Sequence, residues 1–236
     1  MGDGKNVFGP SSANGYSYLL HEGDVRDWFE VWPPAPPVSW GDERAQLIFT
    51  DPPYAREYLS LYGWMADTLP LVMDDGASLI TLVGHSLIPD VMQALGHPLR
   101  FRWMCCLWQP GSKAKMSMGV EVCWKPMLWY VNGKFPNERQ RKRGFVSDAV
   151  ISPPSGVSAR RKRYRWEQCL EWAMYYVERL TDPGDIVFDP FMGVATVGEA
   201  CIRLGRRFIG AEIDPDVFHM AETRLMDVAI EHKEQR

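Results

Sequence analysis

The chain has 236 residues, 46% of them hydrophobic, a formal net charge of −4 and five cysteines. That is enough apolar material for a sizeable core, and about the length of one domain, 1–236, carrying a modest insertion. There is no long uninterrupted apolar run and no basic, apolar amino terminus, so neither a transmembrane helix nor a secretory signal is expected, and a cytoplasmic location is.

Met1 to Tyr16 is rich in glycine and serine and reads as a loose arm. Leu20-His21-Glu22-Gly23-Asp24 then leads into a short helix, Val25 to Val31, for which Asp24 is a natural N-cap. Pro33-Pro34-Ala35-Pro36-Pro37 excludes a helix or a central strand. Leu47-Ile48-Phe49-Thr50 is a short apolar strand that runs straight into Asp51-Pro52-Pro53-Tyr54. Tyr58, Tyr62, Met65 and Leu69 recur at helical spacing and read as core packing. Leu79 to Val83 is the next strand, followed by a helix carrying Leu87, Ile88, Val91, Met92 and Leu95. Pro126 to Val131 has the composition of a strand returning to the sheet, so most of its aromatic residues are expected to be buried.

Further on, Leu170, Ala173, Met174, Val177 and Leu180 keep helical spacing. Asp182-Pro183-Gly184-Asp185 is a turn, Ile186 to Phe188 a buried strand, and Gly193 to Gly198 a tight loop opening a helix from Val197 to Leu204 that Gly205 ends. Arg207 to Glu212 is a second strand with an acidic tip. The final helix follows Asp214-Pro215, with Val217, Met220, Ala221, Leu225 and Val228 on one apolar face. Cys105, Cys106, Cys123, Cys169 and Cys201 lack metal-site spacing, so they read as thiols in a reducing compartment and no metal is expected.

The charge is unevenly spread. Between Lys134 and Arg165 ten residues are basic, among them Arg139, Arg141, Lys142, Arg143, Arg160, Arg161, Lys162 and Arg163, against only Glu138 and Asp148. A basic strip on an otherwise acidic chain is the electrostatic footprint of phosphate binding, although a solvated charge run is the common alternative. Lys113 and Lys115 extend the basic set upstream.

In an open parallel sheet ligands lie outside the carboxyl ends of strands, so chemistry is expected after Thr50 and after Phe188. Asp51-Pro52-Pro53-Tyr54 resembles the catalytic tetrapeptide of the beta-class amino-methyltransferases, and the stretch from Asp182 to Leu225 resembles their S-adenosylmethionine-binding half. The resemblance implies a three-layer α/β, Rossmann-like methyltransferase fold, mostly parallel with an antiparallel edge strand. Its order is circularly permuted, the catalytic half preceding the cofactor half. It implies methyl transfer from S-adenosylmethionine to the exocyclic amine of a base flipped out of double-stranded DNA, leaving S-adenosylhomocysteine. Adenine N6 is favoured because Asp51 opens the motif where the cytosine N4 relatives more often have Ser. Cytosine N4, an RNA adenine, a catalytically impaired nucleic-acid-binding relative and a dinucleotide oxidoreductase stay open as alternatives.

An exocyclic amine is a poor nucleophile because its lone pair is delocalised into the ring. Asp51 and the Pro52 carbonyl can accept its two N–H groups, Pro52 and Pro53 stiffen the loop, and Tyr54 offers an aromatic face. By resemblance, Asp189, Phe191, Gly193, Ala195 and Thr196 surround the methionine part of the cofactor, Glu212 accepts the ribose hydroxyls, and Asp24 accepts the adenine amine. The family carries a glycine where this chain has Ala195. It also has a His-Pro-x-x-Lys-Pro element where this chain has Tyr164-Arg165-Trp166-Glu167-Gln168-Cys169, so Gln168 either lines the cofactor pocket or is structural. Approximately 109–163 is the inserted target-recognition region. A homodimer is a further expectation from the family, with no interface marked in the sequence.

Overall fold

The computed structural model describes residues 4–12, 15–31, 43–108, 114–115, 119–135, 144–151 and 167–234. Among them, one sheet is built from β1 (Lys5–Phe8), β2 (Tyr18–Glu22), β3 (Ala45–Thr50), β4 (Met73–Leu82), β5 (Arg100–Trp108), β6 (Trp124–Val131), β7 (Ala149–Ile151), β8 (Ile186–Asp189) and β9 (Arg207–Glu212). The strands lie in the order β1-β2-β9-β8-β3-β4-β6-β5-β7. The described helices are α1 (Val25–Val31), α2 (Leu59–Thr68), α3 (Ile88–Ala94), α4 (Leu170–Leu180), α5 (Thr196–Arg203) and α6 (Pro215–Glu234).

Strands β2, β9, β8, β3 and β4 run parallel. Parallel strands are covered on both faces, which is why β3 and β8 read as continuous apolar runs instead of alternating ones. Successive side chains still divide between the faces. Leu47, Phe49, Val187 and Phe208 join Tyr176 of α4, Ala200 of α5 and Phe218 of α6 in one core. Ile48, Phe188 and Ile209 join Trp28 of α1, Met65 of α2 and Val91 of α3 in the other. The result is a helix–sheet–helix sandwich, the expected three-layer Rossmann-like fold. Each fully buried large side chain contributes about 1.5–3 kcal/mol, so the two cores rather than helix propensity hold the layers.

The site follows from the strand order. From β3 the chain crosses through α2 to β4 on one side, and from β8 it crosses through α5 to β9 on the other. Crossovers of one hand running in opposite directions put their helices on opposite faces, and a crevice opens between the two strand ends. β3 and β8 are hydrogen-bonded neighbours, with Leu47 opposite Val187 and Ile48 opposite Phe188. The catalytic-type loop therefore precedes its neighbour in the chain yet lies beside it in space.

Four elements differ from the expectation. Lys5–Phe8 is no loose arm: it pairs antiparallel with β2 at the sheet edge, and the Asn6 amide oxygen lies 2.9 Å from His21 Nδ1. The glycines there serve close approach, since a Cβ at Gly9 would lie 2.5 Å from the Tyr18 ring. β5 was not foreseen: the alternation of Arg100-Phe101-Arg102-Trp103 lapses into the run Met104 to Trp108, and its register with β6 slips at Arg102, between the pairs Trp103–Trp129 and Phe101–Tyr130. Antiparallel pairing is also not confined to the edge, because β6 runs against both β4 and β5 inside the sheet. Finally, β7 falls within 109–163 but belongs to the main sheet, as β6 was expected to from Pro126 to Val131. Pro33 to Pro37 lies outside the described residues.

Candidate active site

The strand ends open into a cleft of about 1100 Å³. Asp51, Pro52, Pro53 and Tyr54 line it after β3, Asp189, Phe191, Gly193 and Thr196 from the end of β8 onward, and Glu212 and Asp24 at the ends of β9 and β2, with Gln168 against Asp51. Sequence positions up to 188 apart are thus brought to one concave surface by the switch point alone.

Asp189 is the buried hinge between the two halves. Its Oδ1 accepts the Thr50 hydroxyl at 2.7 Å and the Phe191 amide at 3.1 Å, so a β3 residue orients a β8 carboxylate. Burial pushes its pKa up to about 7; the hydrogen bonds from Thr50 and Phe191 oppose this, and the Asp51 and Glu212 charges reinforce it.

Glu212 closes the glycine loop. One carboxylate oxygen accepts the Gly193 amide at 3.0 Å and the other the Asp214 amide at 2.9 Å. Burial raises its pKa against those backbone donors. A carboxylate offers about four lone-pair sites, so hydroxyl donors from a ligand can still be received beside the Gly193, Asp214 and Ile213 amides. Asp24 caps α1 through the Arg26 amide, 2.9 Å, and its carboxylate is gripped by the Arg26 guanidinium at 2.5 Å. Those contacts with Arg26 hold Asp24 below the usual carboxylate range.

Asp51 is held differently. Tyr54 donates its hydroxyl to Oδ1 and Gln168 donates Nε2 to Oδ2. Gln168 Oε1 in turn accepts from Lys125 Nζ at 3.1 Å, and that ammonium lies 6.0 Å from the centroid of the Tyr54 ring. Asp51 sits at the cleft floor, where burial raises its pKa; Lys125, Tyr54 and Gln168 pull the other way. Tyr54 itself is 37% exposed and presents its ring to the cleft.

Ala195 is not among the residues lining the cleft. It is fully buried in the core beneath α5, and its backbone is left-handed, φ 55° and ψ 45°. Replacing a glycine here therefore strains the backbone instead of crowding a ligand. Gly198, by contrast, is demanded by packing, since a Cβ would lie 2.8 Å from the Phe208 ring.

Two features escaped the sequence reading. Lys125 stands alone before an apolar strand and carries no pattern. Arg224 was detectable, because it falls on the face of α6 defined by Val217, Ala221, Leu225 and Val228, where a charge demands a partner. It is 4% exposed and pairs with Glu167 at 2.8 Å and Glu199 at 2.6 Å, with its Nη1 also on the Val194 carbonyl and the Thr196 hydroxyl. Of the candidate phosphate-binding residues, Lys113, Arg139, Arg141, Lys142, Arg143, Arg160, Arg161, Lys162 and Arg163 lie outside the described residues, as do Tyr164 to Trp166. Lys115 is placed only by its backbone, in a two-stranded ribbon opposite Glu121. Among the described residues, no cluster of His, Cys, Asp and Glu is placed to hold a metal, and no helix is long and apolar enough to cross a membrane.

Acidic strand tips on either side of the switch point, with the proline-stiffened loop first in the chain, define a Rossmann-like methyltransferase fold in permuted order. The solved M1.HpyAVI–SAM complex shares it with a TM-score of 0.65 at 19% identity, over 88% of this chain and 99% of that one. PvuII DNA methyltransferase (cytosine-N4-specific) does so with a TM-score of 0.67 at 15% identity, over 98% of each. The family model described as DNA methylase, covering the N6 and N4 types, matches residues 45–223, and the chain belongs to that family. In sequence, DNA adenine methyltransferase YhdJ of Escherichia coli (strain K12) is 51% identical over 49 residues. That stretch is 21% of this chain and 16% of YhdJ.

Proposed function

We propose that the chain transfers a methyl group from S-adenosylmethionine to the N6 amine of an adenine flipped out of double-stranded DNA. One observation carries the reading: the Asp51-Pro52-Pro53-Tyr54 loop and the acidic strand tips Asp189 and Glu212 share one cleft. The cleft fits the cofactor by its donor set. Asp24 and Glu212 offer carboxylates for an amine and for ribose hydroxyls, Asp189 adds a carboxylate near a cationic ligand's methionine part, and Phe191, Val25 and Val217 supply apolar wall. S-adenosylmethionine, when bound there, supplies an electrophilic methyl group.

The chain's own residues do the rest. Asp51 and the Pro52 carbonyl accept the two N–H groups of the target amine, which turns its lone pair out of the ring plane. Tyr54 gives the extruded base an aromatic face, replacing part of the stacking lost in the duplex. As the amine gains the methyl group it becomes cationic, and Asp51, its affinity for protons raised by burial, receives the proton released. The basic residues between Lys134 and Arg165 hold phosphates and set register, while base edges set specificity. Asp51 as the first motif residue favours adenine over cytosine.

The test is transfer of labelled methyl from S-adenosylmethionine to unmodified genomic DNA, followed by nucleoside analysis. N6-methyladenine is expected. N4-methylcytosine would keep the chemistry and correct the base, and cofactor binding without transfer to DNA would overturn the DNA assignment.

A further inference from the structure

The carboxylate proposed to receive the target amine is set by a chain of side chains from three separate parts of the fold. Gln168 precedes α4 and reaches Asp51 after β3, and Lys125 from β6 reaches Gln168. An amide side chain can face either way, and its two ends demand opposite partners. An ammonium only donates, so Lys125 requires the oxygen of Gln168, and the Gln168 NH2 group is thereby left to donate to Asp51. The Asp51 carboxylate, an acceptor only, demands the same orientation, so Lys125 and Asp51 hold the amide from its two ends. The reversed amide would set an oxygen against the Asp51 carboxylate and repel it.

We propose that Lys125 is a positioning residue for methyl transfer, acting through Gln168 to fix the orientation and hydrogen bonding of Asp51. The proposal rests on the function inferred above and deepens it. The same site explains how the chain works with glutamine where the family motif has lysine. The positive charge arrives from β6 instead, and the backbone at Gln168 is fixed by the adjacent Glu167, which is tied to the buried Arg224 at 2.8 Å.

A second consequence concerns ionisation. The groups facing Asp51 are Tyr54 on its own loop, Tyr62 of α2, Lys125 of β6, Gln168 with the ion-paired Glu167, and Asp189 of β8 with Glu212 of β9 behind it. Three of these are carboxylic acids, Glu167, Asp189 and Glu212; the Asp51 and Glu212 charges raise the Asp189 pKa, and the Lys125 charge lowers that of Asp51. Burial keeps Asp51 above its ordinary range, and Lys125 limits the rise.

The experiment compares wild type, Lys125→Met, Lys125→Arg, Gln168→Leu and the Lys125→Met/Gln168→Leu double variant in the full chain. Two readouts are used: the pH profile of kcat/KM for methyl transfer to DNA, and the Asp51 titration followed by carboxyl-carbon NMR. Lys125→Met is expected to lose roughly tenfold in kcat/KM near the acid limb, with the loss shrinking as pH rises. Its Asp51 midpoint should move to higher pH, and Lys125→Arg should restore both readouts. The double variant should be little worse than Gln168→Leu alone. An unchanged Asp51 midpoint in Lys125→Met, or losses that simply add in the double variant, would overturn the proposal. Absence of methyl transfer by wild type would instead overturn the function, while the titration would still decide the role of Lys125.

Discussion

The cleft sets two aspartates side by side at neighbouring strand ends, yet the protein grips them in unlike ways. Asp189 is held by a hydroxyl and a backbone amide that the sheet itself fixes, and it is 4% exposed. Asp51 is held by two side chains from outside the sheet, Tyr54 on its own loop and Gln168 before α4, the latter steadied by Lys125. The difference separates a carboxylate that builds the site from one that can change partners during a reaction. A carboxylate that receives a substrate amine can exchange a side-chain donor such as the Tyr54 hydroxyl, whereas a main-chain donor such as the Phe191 amide stays in place.

The largest expected effect comes from removing the exchangeable member. Asp51→Ala should lower kcat of methyl transfer by about 10³-fold, in line with the loss of a preorganised electrostatic partner. Cofactor affinity by calorimetry should hardly change, because Asp51 follows β3, two strands from β9 with Glu212 and three from β2 with Asp24. Nucleic-acid affinity that survives alongside any biological effect would instead favour a binding protein without turnover.

Next is the anchor behind Gln168. Arg224→Met should cost about 3–5 kcal/mol in urea unfolding, because it leaves the Glu167 and Glu199 carboxylates buried with less compensation. Burial pushes the Glu199 carboxyl up, and the charges of Arg224 and Arg203 outweigh it. If the segment before α4 is what delivers Gln168 to Asp51, turnover should fall together with stability. A stable Arg224→Met protein would show that the network is dispensable.

The structural aspartate makes a pH prediction. Native Asp189 holds its proton up to about 7, whereas the unfolded chain releases it near the ordinary value of 3.8. The native state binds more protons between those values, so this group's contribution to stability is complete below about 4 and is lost as pH rises toward 7. A shift of that size corresponds to at most about 4 kcal/mol, and less where cleft water screens the charge. Asp189→Asn keeps an oxygen for Thr50 and Phe191 and should flatten that part of the decline in thermal midpoint with pH. A residual slope of the same sign is expected from Asp51 and Glu212, whose native pKa values are also raised. An identical decline in wild type and variant would show that Asp189 is not the group responsible.

The two halves of the cleft were not equally legible in the sequence. β8, α5, β9 and α6 follow one another with short turns, so local signals such as Asp182-Pro183-Gly184-Asp185, Gly205 and the acidic tip Glu212 placed each element to within a residue or two. The Asp51 end was legible only as a tetrapeptide. Its supports are Gln168, read from the sequence only as a cofactor-pocket or structural residue, and Lys125; they lie 117 and 74 residues away in the chain and meet Asp51 only because the segment before α4 and β6, two strands from β3, converge on the loop after β3. A partner chosen by tertiary proximity leaves no spacing to read. β1 and β5 were missed for a related reason: pairing with β2 and β6 overrides a weak local preference.

The smallest effect tests the loop on the Asp189 side. Ala195→Gly relieves the left-handed strain at φ 55°, worth about 1–2 kcal/mol. Against that, the glycine frees the unfolded chain by about 0.4–1 kcal/mol. It also removes a fully buried methyl group, which costs about 0.8 kcal/mol. These contributions nearly cancel, so chemical denaturation should show a change within about 1 kcal/mol. Cofactor affinity should stay within about twofold, because the Ala195 side chain lies in the core and not on the cleft wall. A large gain in affinity on inserting glycine would mean that this methyl group does restrict the ligand. The Asp189 end would then be as adjustable as the Asp51 end, and the contrast between the two aspartates would weaken.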